Sequence, residues 1–400
     1  MNFKSVHMES IGYELPSMVV TSEELEQRLQ PMYKALHINP GQLEALTGIS
    51  ERRWWDEGFA LSDGATAAAV KALKQSNVSA GDIETLIYAG VCRENYEPAT
   101  ACAVAAKLGV SQDAYVYDIS NACLGVMNGI IDIANRIELK QIRAGMVVSC
   151  ESSREIVEIM INRMLKEKSM EIFTTSLATL TGGSGAVAVL LTDGSFSNNS
   201  THKLIGAATQ AAPEHHRLCT WGVTTTNPIE IGKLMFTPDR LMATIDEVLK
   251  PDTLPTMVRD MLTSDRLPPA VANLMPSRVL PQVLSEFMST DSVSVLKHGV
   301  RLGVKTWGSF LGKMGWAIEE VDKVICHQVG SGHQDTILRE LGIDRNKDFS
   351  TYKYLGNIGT VSLPITAAIA DQRKFLKRGD RVSFLGIGSG LNCMMLGWEW

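Results

Sequence analysis

Short apolar runs alternate along most of the chain with longer segments whose apolar residues recur at helical spacing. The short runs predict strands at 6–16, 83–91, 114–120, 144–152, 185–193, 203–212, 322–329 and 381–400, the last broken by a glycine corner. The longer segments predict helices at 21–29, 60–78, 98–110, 124–139, 292–314, 333–342 and 363–379. Strands that alternate with helices predict an α/β architecture with a mainly parallel sheet covered by helices.

Local signals support two of these helices and suggest a repeated unit. Thr21 and Glu24, three residues apart, fit a capping box at the start of the first helix. Segment 124–139 is apolar nearly all round, which predicts a buried helix. Segments 128–152 and 363–388 share one plan of long helix, polar turn and buried strand, which suggests a duplicated half.

The segment from about 225 to 290 interrupts the alternation. It is rich in proline and methionine, and proline ends or kinks helices, so only short helices are expected there. A mostly helical lid or added subdomain is one interpretation. A surface insertion without a function of its own is the other, and the pattern does not separate the two.

Composition and charge narrow the class of protein. The 400 residues are 45% hydrophobic, which suits two domains or one large layered domain. A net charge of -6 without a basic block argues against nucleic acid as a partner. The start of the chain resembles no signal peptide, and no apolar run approaches the ~18 residues of a membrane span, so a cytoplasmic location is expected.

Seven cysteines without tight pairing or a C-x-x-C motif indicate reduced thiols and no metal site. Cys123, in "DISNACLGVMNGI", lies between the predicted strand 114–120 and the predicted helix 124–139. The N–H groups and the dipole at a helix start lower the pKa of a thiol, so Cys123 is a candidate nucleophile. Burial as a small core residue is the alternative, and it is the commoner role of a cysteine.

A cysteine nucleophile needs partners, and two candidates lie near the ends of predicted elements. His327 follows the apolar strand 322–329, and sites in parallel α/β sheets assemble at strand ends. A hydrogen-bonded core or turn histidine is the alternative. Asn357 lies in "GNIG" before the helix 363–379, where a turn residue is the alternative. The joint occurrence of the three residues favours a Cys–His–Asn site.

The motifs around these residues carry a family resemblance. "NACLG" with Cys123, "HQV" with His327 and "GNIG" with Asn357 resemble the Cys–His–Asn set of the thiolase superfamily, in its β-ketoacyl synthase III branch. "TGISERR" (47–53) resembles a segment of that branch. "ENYEPATA" and the ending "GIGSGLNC" are most similar to the OleA-type head-to-head acyl-CoA condensing enzymes of olefin biosynthesis.

The resemblance implies a five-layered αβαβα fold from two similar halves, here 1–198 and 199–400, with an insertion at about 225–290 in the second half. It implies a homodimer that takes an acyl group onto Cys123, with acyl-CoA as substrate and no cofactor. It also implies an oxyanion hole from the backbone N–H groups of Cys123 and Ser389. His327 and Asn357 would hold the carbonyl of the second acyl thioester and stabilise its enolate.

The presence of Glu97, in "ENYEPATA", distinguishes non-decarboxylative from decarboxylative condensing enzymes. OleA-type enzymes resemble one another in having a glutamate here that reaches the active site of the partner subunit, where it would remove an α-proton. Decarboxylative synthases need no strong base, because loss of CO2 supplies their carbanion. The alternatives are that Glu97 only favours the start of the helix that follows Pro98, or that nearby Glu94 confuses the assignment.

The resemblance therefore predicts an acyltransferase that condenses two fatty acyl-CoA molecules, without decarboxylation, to a 2-alkyl-3-oxoacyl product. The alternatives are a decarboxylative synthase with a malonyl donor, a thioesterase, and a non-catalytic subunit of a lipid-synthesis complex. Downstream lipid-synthesis enzymes would be partners. The residues that contact CoA stay open, because "GQLEAL" (41–46) lacks the Trp and Arg that relatives carry before T-G-I.

Overall fold

The computed structural model of the chain describes residues 1–197, 202–225 and 284–400. They belong to two units, of which the larger comprises Met1–Thr220 and Met288–Trp400 and the smaller comprises Trp221–Phe287. The predicted boundary at 198 and 199, and nearly all of the predicted insertion at 225–290, lie outside the described residues. Both stay predictions, and the site described below lies in the larger unit.

Strands and helices alternate along the described residues, as the apolar pattern predicts. The strands are β1 His7–Glu14, β2 Met18–Thr21, β3 Glu51–Trp54, β4 Thr85–Ala89, β5 Tyr115–Ile119, β6 Ala144–Glu151, β7 Gly185–Thr192, β8 His202–Ala211, β9 Cys219–Thr225, β10 Leu284–Thr290, β11 Lys323–Cys326, β12 Arg381–Gly388 and β13 Asn392–Glu399. The helices are α1 Ser22–Arg28, α2 Gln30–Leu36, α3 Gln42–Thr47, α4 Leu61–Lys74, α5 Thr100–Leu108, α6 Gly125–Glu138, α7 Arg154–Glu167, α8 Met170–Leu180, α9 Ser292–Met314, α10 Ser331–Leu341, α11 Tyr352–Leu355 and α12 Ser362–Gln372.

The most accurate predictions were helix ends that depend on residues close together in the sequence. Helix α9 has the predicted bounds at both ends, and the Thr21–Glu24 capping box forms at α1. The pair α7–α8 was missed. In α7, however, residues 156, 157, 160, 161 and 164 are buried, and that spacing is the helical signal that would have found it.

The central sheet has nine strands in the order β11-β12-β13-β8-β1-β7-β6-β4-β5. Strand β4 pairs in parallel with β5 and β6, and β11 pairs in parallel with β12. The remaining neighbours pair in antiparallel fashion. The prediction of a mainly parallel sheet is therefore wrong, because an apolar run shows that a strand is buried but not which way it runs.

The sheet consists of two halves with the same topology. Outward from β1 lie β7, β6 and β4, and outward from β8 lie β13, β12 and β11; in both series the pairings are antiparallel, antiparallel and parallel. The halves join through two residue pairs between β1 and β8. Helix α6 precedes β6 just as α12 precedes β12, so the repeated plan in the sequence corresponds to the duplicated half.

Alternate residues of each strand face different layers. In β7, Val187, Val189 and Leu191 pack with α6, α12 and the strands of the second half. Ala186, Ala188 and Leu190, on the other face, pack against α4 and α5. Helices α9 and α10 cover the outer face of β12 and β13. The layers are thus helices, sheet, central helices, sheet, helices, and the five-layered αβαβα prediction is confirmed.

Gly12 of β1 marks how closely α4 lies against the sheet. A Cβ at this position would overlap the carbonyl oxygen of Ala68 and the backbone nitrogen of Ala72. Gly12→Ala should therefore lower the free energy of unfolding by about 3 kcal/mol, the upper range for an overpacked core. Urea unfolding followed by circular dichroism measures this change.

Gly308→Ala is the matched control in the same experiment. Gly308 is exposed in α9, and apart from the backbone of its own helix nothing lies within 4 Å of a Cβ built on it. Alanine should stabilise that helix by up to about 1 kcal/mol. Equal effects of the two substitutions would contradict the close approach of α4 to β1.

Candidate active site

Cys123 lies in the turn between β5 and α6, as the sequence predicts. The N–H of Leu124 donates to the carbonyl oxygen of Asn121 over 2.9 Å, which closes the turn. Ala122 inside it adopts the left-handed region with a φ of 45°, uncommon for a residue with a side chain. The reversal ends the strand and places Cys123 two residues before Gly125, where α6 begins.

The surroundings of Cys123 oppose ionisation of its thiol. Burial raises the pKa of Cys123 to about 12, and nearby Cys219 and Glu151 add to the rise. The expectation that the helix start would lower this pKa is therefore wrong. A helix dipole contributes about 0.3–1 kcal/mol, which is less than one pKa unit, and desolvation outweighs it.

His327 follows β11 directly and is 4% exposed. Its backbone N–H donates to the carbonyl oxygen of Leu385 over 2.9 Å, which fixes it beside β12. Its Nδ1 lies 2.6 Å from Oγ of Ser362, the first residue of α12. Burial, with a smaller contribution from His333, lowers the pKa of His327 to about 3. The imidazole is thus neutral at pH 7, and when Ser362 donates to Nδ1 its Nε2 carries the proton.

Asn357 lies in the loop between α11 and α12, and its backbone is held on both sides. Its N–H donates to the carbonyl oxygen of Thr181 over 2.9 Å, and its own carbonyl accepts from the N–H of Gly183 over 3.0 Å. Its Oδ1 accepts from the N–H of Gly359 over 3.1 Å. The NH2 group of Asn357 is therefore the part of the side chain that can donate to a ligand.

A contact between the central helices connects these segments. The N–H of Val126, in the first turn of α6, donates to Oγ1 of Thr360 over 2.8 Å. Thr360 lies in sequence between Asn357 and Ser362, and Ser362 contacts His327. The cysteine, histidine and asparagine segments therefore meet where α6 and α12 begin.

Ser389 lies in the turn between β12 and β13. A Cβ on the preceding Gly388 would lie 3.4 Å from the backbone nitrogen of Cys123, so the two backbones are in contact. After the turn, the Asn392 side chain donates to Oδ1 of Asn121 over 3.0 Å. The turn that carries Ser389 is thus anchored next to the cysteine turn, and its part in an oxyanion hole stays a prediction.

The two glutamates of the segment between β4 and α5, Glu94 and Glu97, have different contacts. An oxygen of the Glu94 side chain accepts from the N–H of Ser62 over 2.7 Å, so Glu94 caps the start of α4. Glu97 is exposed, and among the described residues its carboxylate has no hydrogen bond or ion pair. Tyr96 beside it is 97% exposed. Glu97 therefore has no hydrogen bond or ion pair with any other predicted site residue among those described.

Sequence reasoning missed Glu151, the last residue of β6, which is 4% exposed. Its carboxylate accepts from the N–H groups of Val91 and Cys92, over 3.0 and 3.2 Å. Burial raises the pKa of Glu151, while these hydrogen bonds oppose the rise. A carboxylate at the end of the apolar run "MVVSCE" was the signal that could have found it.

An apolar cavity adjoins His327. It is lined in part by Gly299 and Gly303 of α9, by Ile387 and by His333. The Nδ1 of His333 is buried and has no hydrogen-bond partner among the described residues. Burial lowers the pKa of His333 to about 4, so a second neutral imidazole lines the cavity.

The described residues contain no group of three or more His, Cys, Asp or Glu side chains placed to hold a metal ion. No helix in the same part of the chain combines the length and hydropathy of a membrane span.

Family models match both halves of the chain. Residues 57–208 match the model described as thiolase, N-terminal domain, and residues 311–400 match that of 3-oxoacyl-[acyl-carrier-protein (ACP)] synthase III C terminal.

Named relatives and a solved structure match nearly the whole chain. The chain is 50% identical over 402 residues to the acyl-CoA:acyl-CoA alkyltransferase of Shewanella oneidensis and 31% identical over 401 residues to that of Xanthomonas campestris, with all of each protein covered. The β-ketoacyl-[acyl-carrier-protein] synthase III of Clostridium tetani is 22% identical over 98% of this chain and 97% of its own. A crystal structure of cerulenin-bound Xanthomonas OleA superposes with a TM-score of 0.81 at 30% identity, covering 100% of this chain and 98% of that one.

The neutral state of His333 should make stability depend on pH. Its pKa of about 4 in the folded chain lies below the 6.5 of an unperturbed histidine, so the unfolded chain binds more protons between these values. The free energy of unfolding should therefore fall as the pH drops from 6.5 towards 4. In His333→Gln the free energy of unfolding should fall less steeply with pH than in the wild type. Urea unfolding at a series of pH values would show this difference.

Asp348→Asn is the opposing control. Burial raises the pKa of Asp348 to about 6 from 3.8, so this carboxyl stabilises the fold at acid pH and that stability is lost as the pH rises through 6. Its removal should steepen the fall in stability towards acid pH. Equal slopes in the wild type and both variants would contradict the burial of these two groups.

Proposed function

The chain belongs to the acyl-CoA:acyl-CoA alkyltransferase family of the thiolase superfamily, and we propose that its condensation reaction takes place at Cys123, His327 and Asn357. The protein is an acyltransferase that joins two fatty acyl-CoA molecules head to head, without decarboxylation. The meeting of the three segments at the starts of α6 and α12 carries the assignment.

The first step is transfer of an acyl group to Cys123. The Cys123 sulfur attacks the carbonyl carbon of an acyl-CoA, the bond from that carbon to the CoA sulfur breaks, and the thiol proton leaves with CoA as its thiol. The backbone N–H groups of Cys123 and Ser389 would hold the oxyanion of the tetrahedral intermediate. Because the pKa of Cys123 is about 12, the resting thiol is neutral, and the proton is transferred during the reaction.

The second step forms the carbon–carbon bond. A carboxylate removes an α-proton from the second acyl-CoA, and the enolate attacks the acyl-cysteine carbonyl. The Cys123 sulfur leaves as a thiolate and regains the proton that the carboxylate removed, and the product is a 2-alkyl-3-oxoacyl-CoA. The Nε2–H of neutral His327 and the NH2 of Asn357 would donate to the enolate oxygen. Neutral donors suit this task, because they stabilise the enolate without protonating it.

Glu97 of the partner subunit is the proposed base. Its exposed position, together with the engagement of Glu94 at α4, supports action outside its own chain. Solved structures of the Xanthomonas enzyme include variants of one cysteine, one glutamate and one histidine. The glutamate and the cysteine of that enzyme are separated in sequence by the same number of residues as Glu97 and Cys123.

The histidine of the Xanthomonas enzyme follows its cysteine more closely in sequence than His327 follows Cys123. The difference nearly equals the length of the predicted insertion at 225–290. This supports an insertion between the two halves of the site. A homodimer, a cytoplasmic location and partnership with downstream lipid-synthesis enzymes are further parts of the proposal.

Lauroyl-CoA is the test substrate, because a cysteine variant of the Xanthomonas enzyme has been crystallised with lauroyl-CoA and lauric acid. Incubation of the purified protein with lauroyl-CoA alone should give a β-keto product that carries two acyl chains, detected by mass spectrometry. Cys123→Ala should give no acyl-enzyme and no product. Glu97→Gln should still form the acyl-enzyme, while the coupled product falls by about 100-fold or more, the size of a lost general base.

Glu94→Gln is the matched control on the same segment and should keep most of the coupling. Product formation only after addition of a malonyl donor, with Glu97→Gln still active, would favour a decarboxylative synthase instead. Release of lauric acid without any coupled product would favour a thioesterase. Retention of the biological function by Cys123→Ala would favour a non-catalytic subunit.

A further inference from the structure

The buried carboxylate of Glu151 lies between two segments of the proposed site. On one side it accepts from the N–H groups of Val91 and Cys92, over 3.0 and 3.2 Å. On the other side, a Cβ on Gly359 would lie 3.3 Å from Cγ of Glu151. Val91 and Cys92 lie shortly before Glu97 in the sequence, and Gly359 follows Asn357 by two residues.

Further contacts fix the segment that leads to Glu97 to the end of β6. The hydroxyl of Tyr88 donates to the carbonyl oxygens of Cys92 and Cys150, over 2.9 and 2.7 Å. The thiol of Cys92 donates to the carbonyl oxygen of Ser152 over 3.2 Å. From Arg93 onwards the chain is exposed as far as Pro98. Residues 91 and 92, together with the Glu94 side chain at α4, thus hold the base of the exposed segment that carries Glu97.

Burial makes this carboxylate costly to keep ionised, and its hydrogen bonds offset only part of that cost. Removal of a charge from water carries a large penalty, and only desolvation and hydrogen-bond donors act on Glu151, with no cation among them. The carboxylate also raises the pKa of Cys123, so it is close enough to affect the nucleophile. Two oxygens that each accept one N–H fix the direction of the chain at residues 91 and 92 more tightly than one acceptor could.

We infer that Glu151 is a positioning residue, which sets the direction of the segment that carries Glu97 to the partner subunit while it supports the Asn357 loop of its own subunit. The inference rests on the proposed function, because it assumes that Glu97 acts at the partner's cysteine. Glu151 itself transfers no proton in this scheme. A base displaced by about 1 Å loses about 100-fold in rate, so the second step should depend on Glu151 much more than the first.

Glu151→Gln tests the inference in the full-length protein. The amide keeps the size of the side chain but replaces one acceptor oxygen with an NH2 group, which cannot accept from either N–H. With lauroyl-CoA as the probe, acyl-Cys123 should form at a rate within about threefold of the wild type. Coupled product should fall by about 10- to 100-fold through kcat, with little change in KM. Ser149→Ala, which removes a buried hydroxyl of β6 with no partner among the described residues, is the matched control.

Hydrogen exchange measured by mass spectrometry separates positioning from direct chemistry. Amides of the segment 93–99 should exchange faster in Glu151→Gln than in the wild type or in Ser149→Ala. Lost coupling with unchanged exchange would overturn the inference, since Glu151 would then act by another route, on the substrate itself or through the Asn357 loop alone. Equal losses in acylation and coupling, or wild-type coupling, would overturn it too.

Gly90→Ala is a second variant, for use if Glu151→Gln does not fold. A Cβ on Gly90 would lie 3.2 Å from Oε1 of Glu151, so the added methyl group should disturb the same contacts while the carboxylate remains. It should show the same selective loss of coupling, and full coupling in it would contradict the inference. A wild-type protein that gives no coupled product would instead overturn the proposed function, which is a distinguishable result.

Discussion

The packing of α6 and α12 between the two half-sheets is the constraint on which the rest of the structure depends. Both helices contact strands of both halves through one continuous core. Helix α12 is buried along most of its length, whereas α6 is not apolar nearly all round as predicted, because Asn128, Asp132 and Arg136 form a polar stripe on it. The duplication then places the starts of two such helices together, joined by the bond from Val126 to Thr360. Cys123 precedes one helix and Asn357 the other, so the site is a consequence of how the halves pack.

The same packing buries much of the site, and this burial decides the protonation states. Burial raises the pKa of Cys123 and Glu151 and lowers that of His327, so each group is shifted towards its neutral form. The helix start that seemed to favour a thiolate contributes too little to reverse this effect. Neutral donors in a desolvated site can stabilise an enolate oxygen more strongly than the same groups in water. Desolvation therefore favours stabilisation of the enolate in the second step, whereas it disfavours a Cys123 thiolate before the first step.

The sequence predicted those features that have a local cause. The spacing of apolar residues located α9 to both of its ends, and the capping box at Thr21 required only a three-residue spacing. Strand direction depends on which strands become neighbours, so the mainly parallel sheet was predicted wrongly. Cys123 and His327 could be proposed because motifs surround them. Glu151 has no motif, and its contacts with residues 91 and 92 arise only on folding.

The contrast between Glu151 and Glu97 explains why the proposed reaction needs a second chain. An α-proton of a thioester is weakly acidic, and a carboxylate in water is too stable a base to remove it readily. Glu97 is exposed in the single chain, whereas Glu151 is buried but already accepts two N–H groups. Among the described residues, the proposed site thus has a nucleophile, an enolate-binding pair and a fixed anchor, but no desolvated carboxylate that is free to act. Burial of Glu97 against a partner would supply that base, and it would couple catalysis to assembly of the dimer.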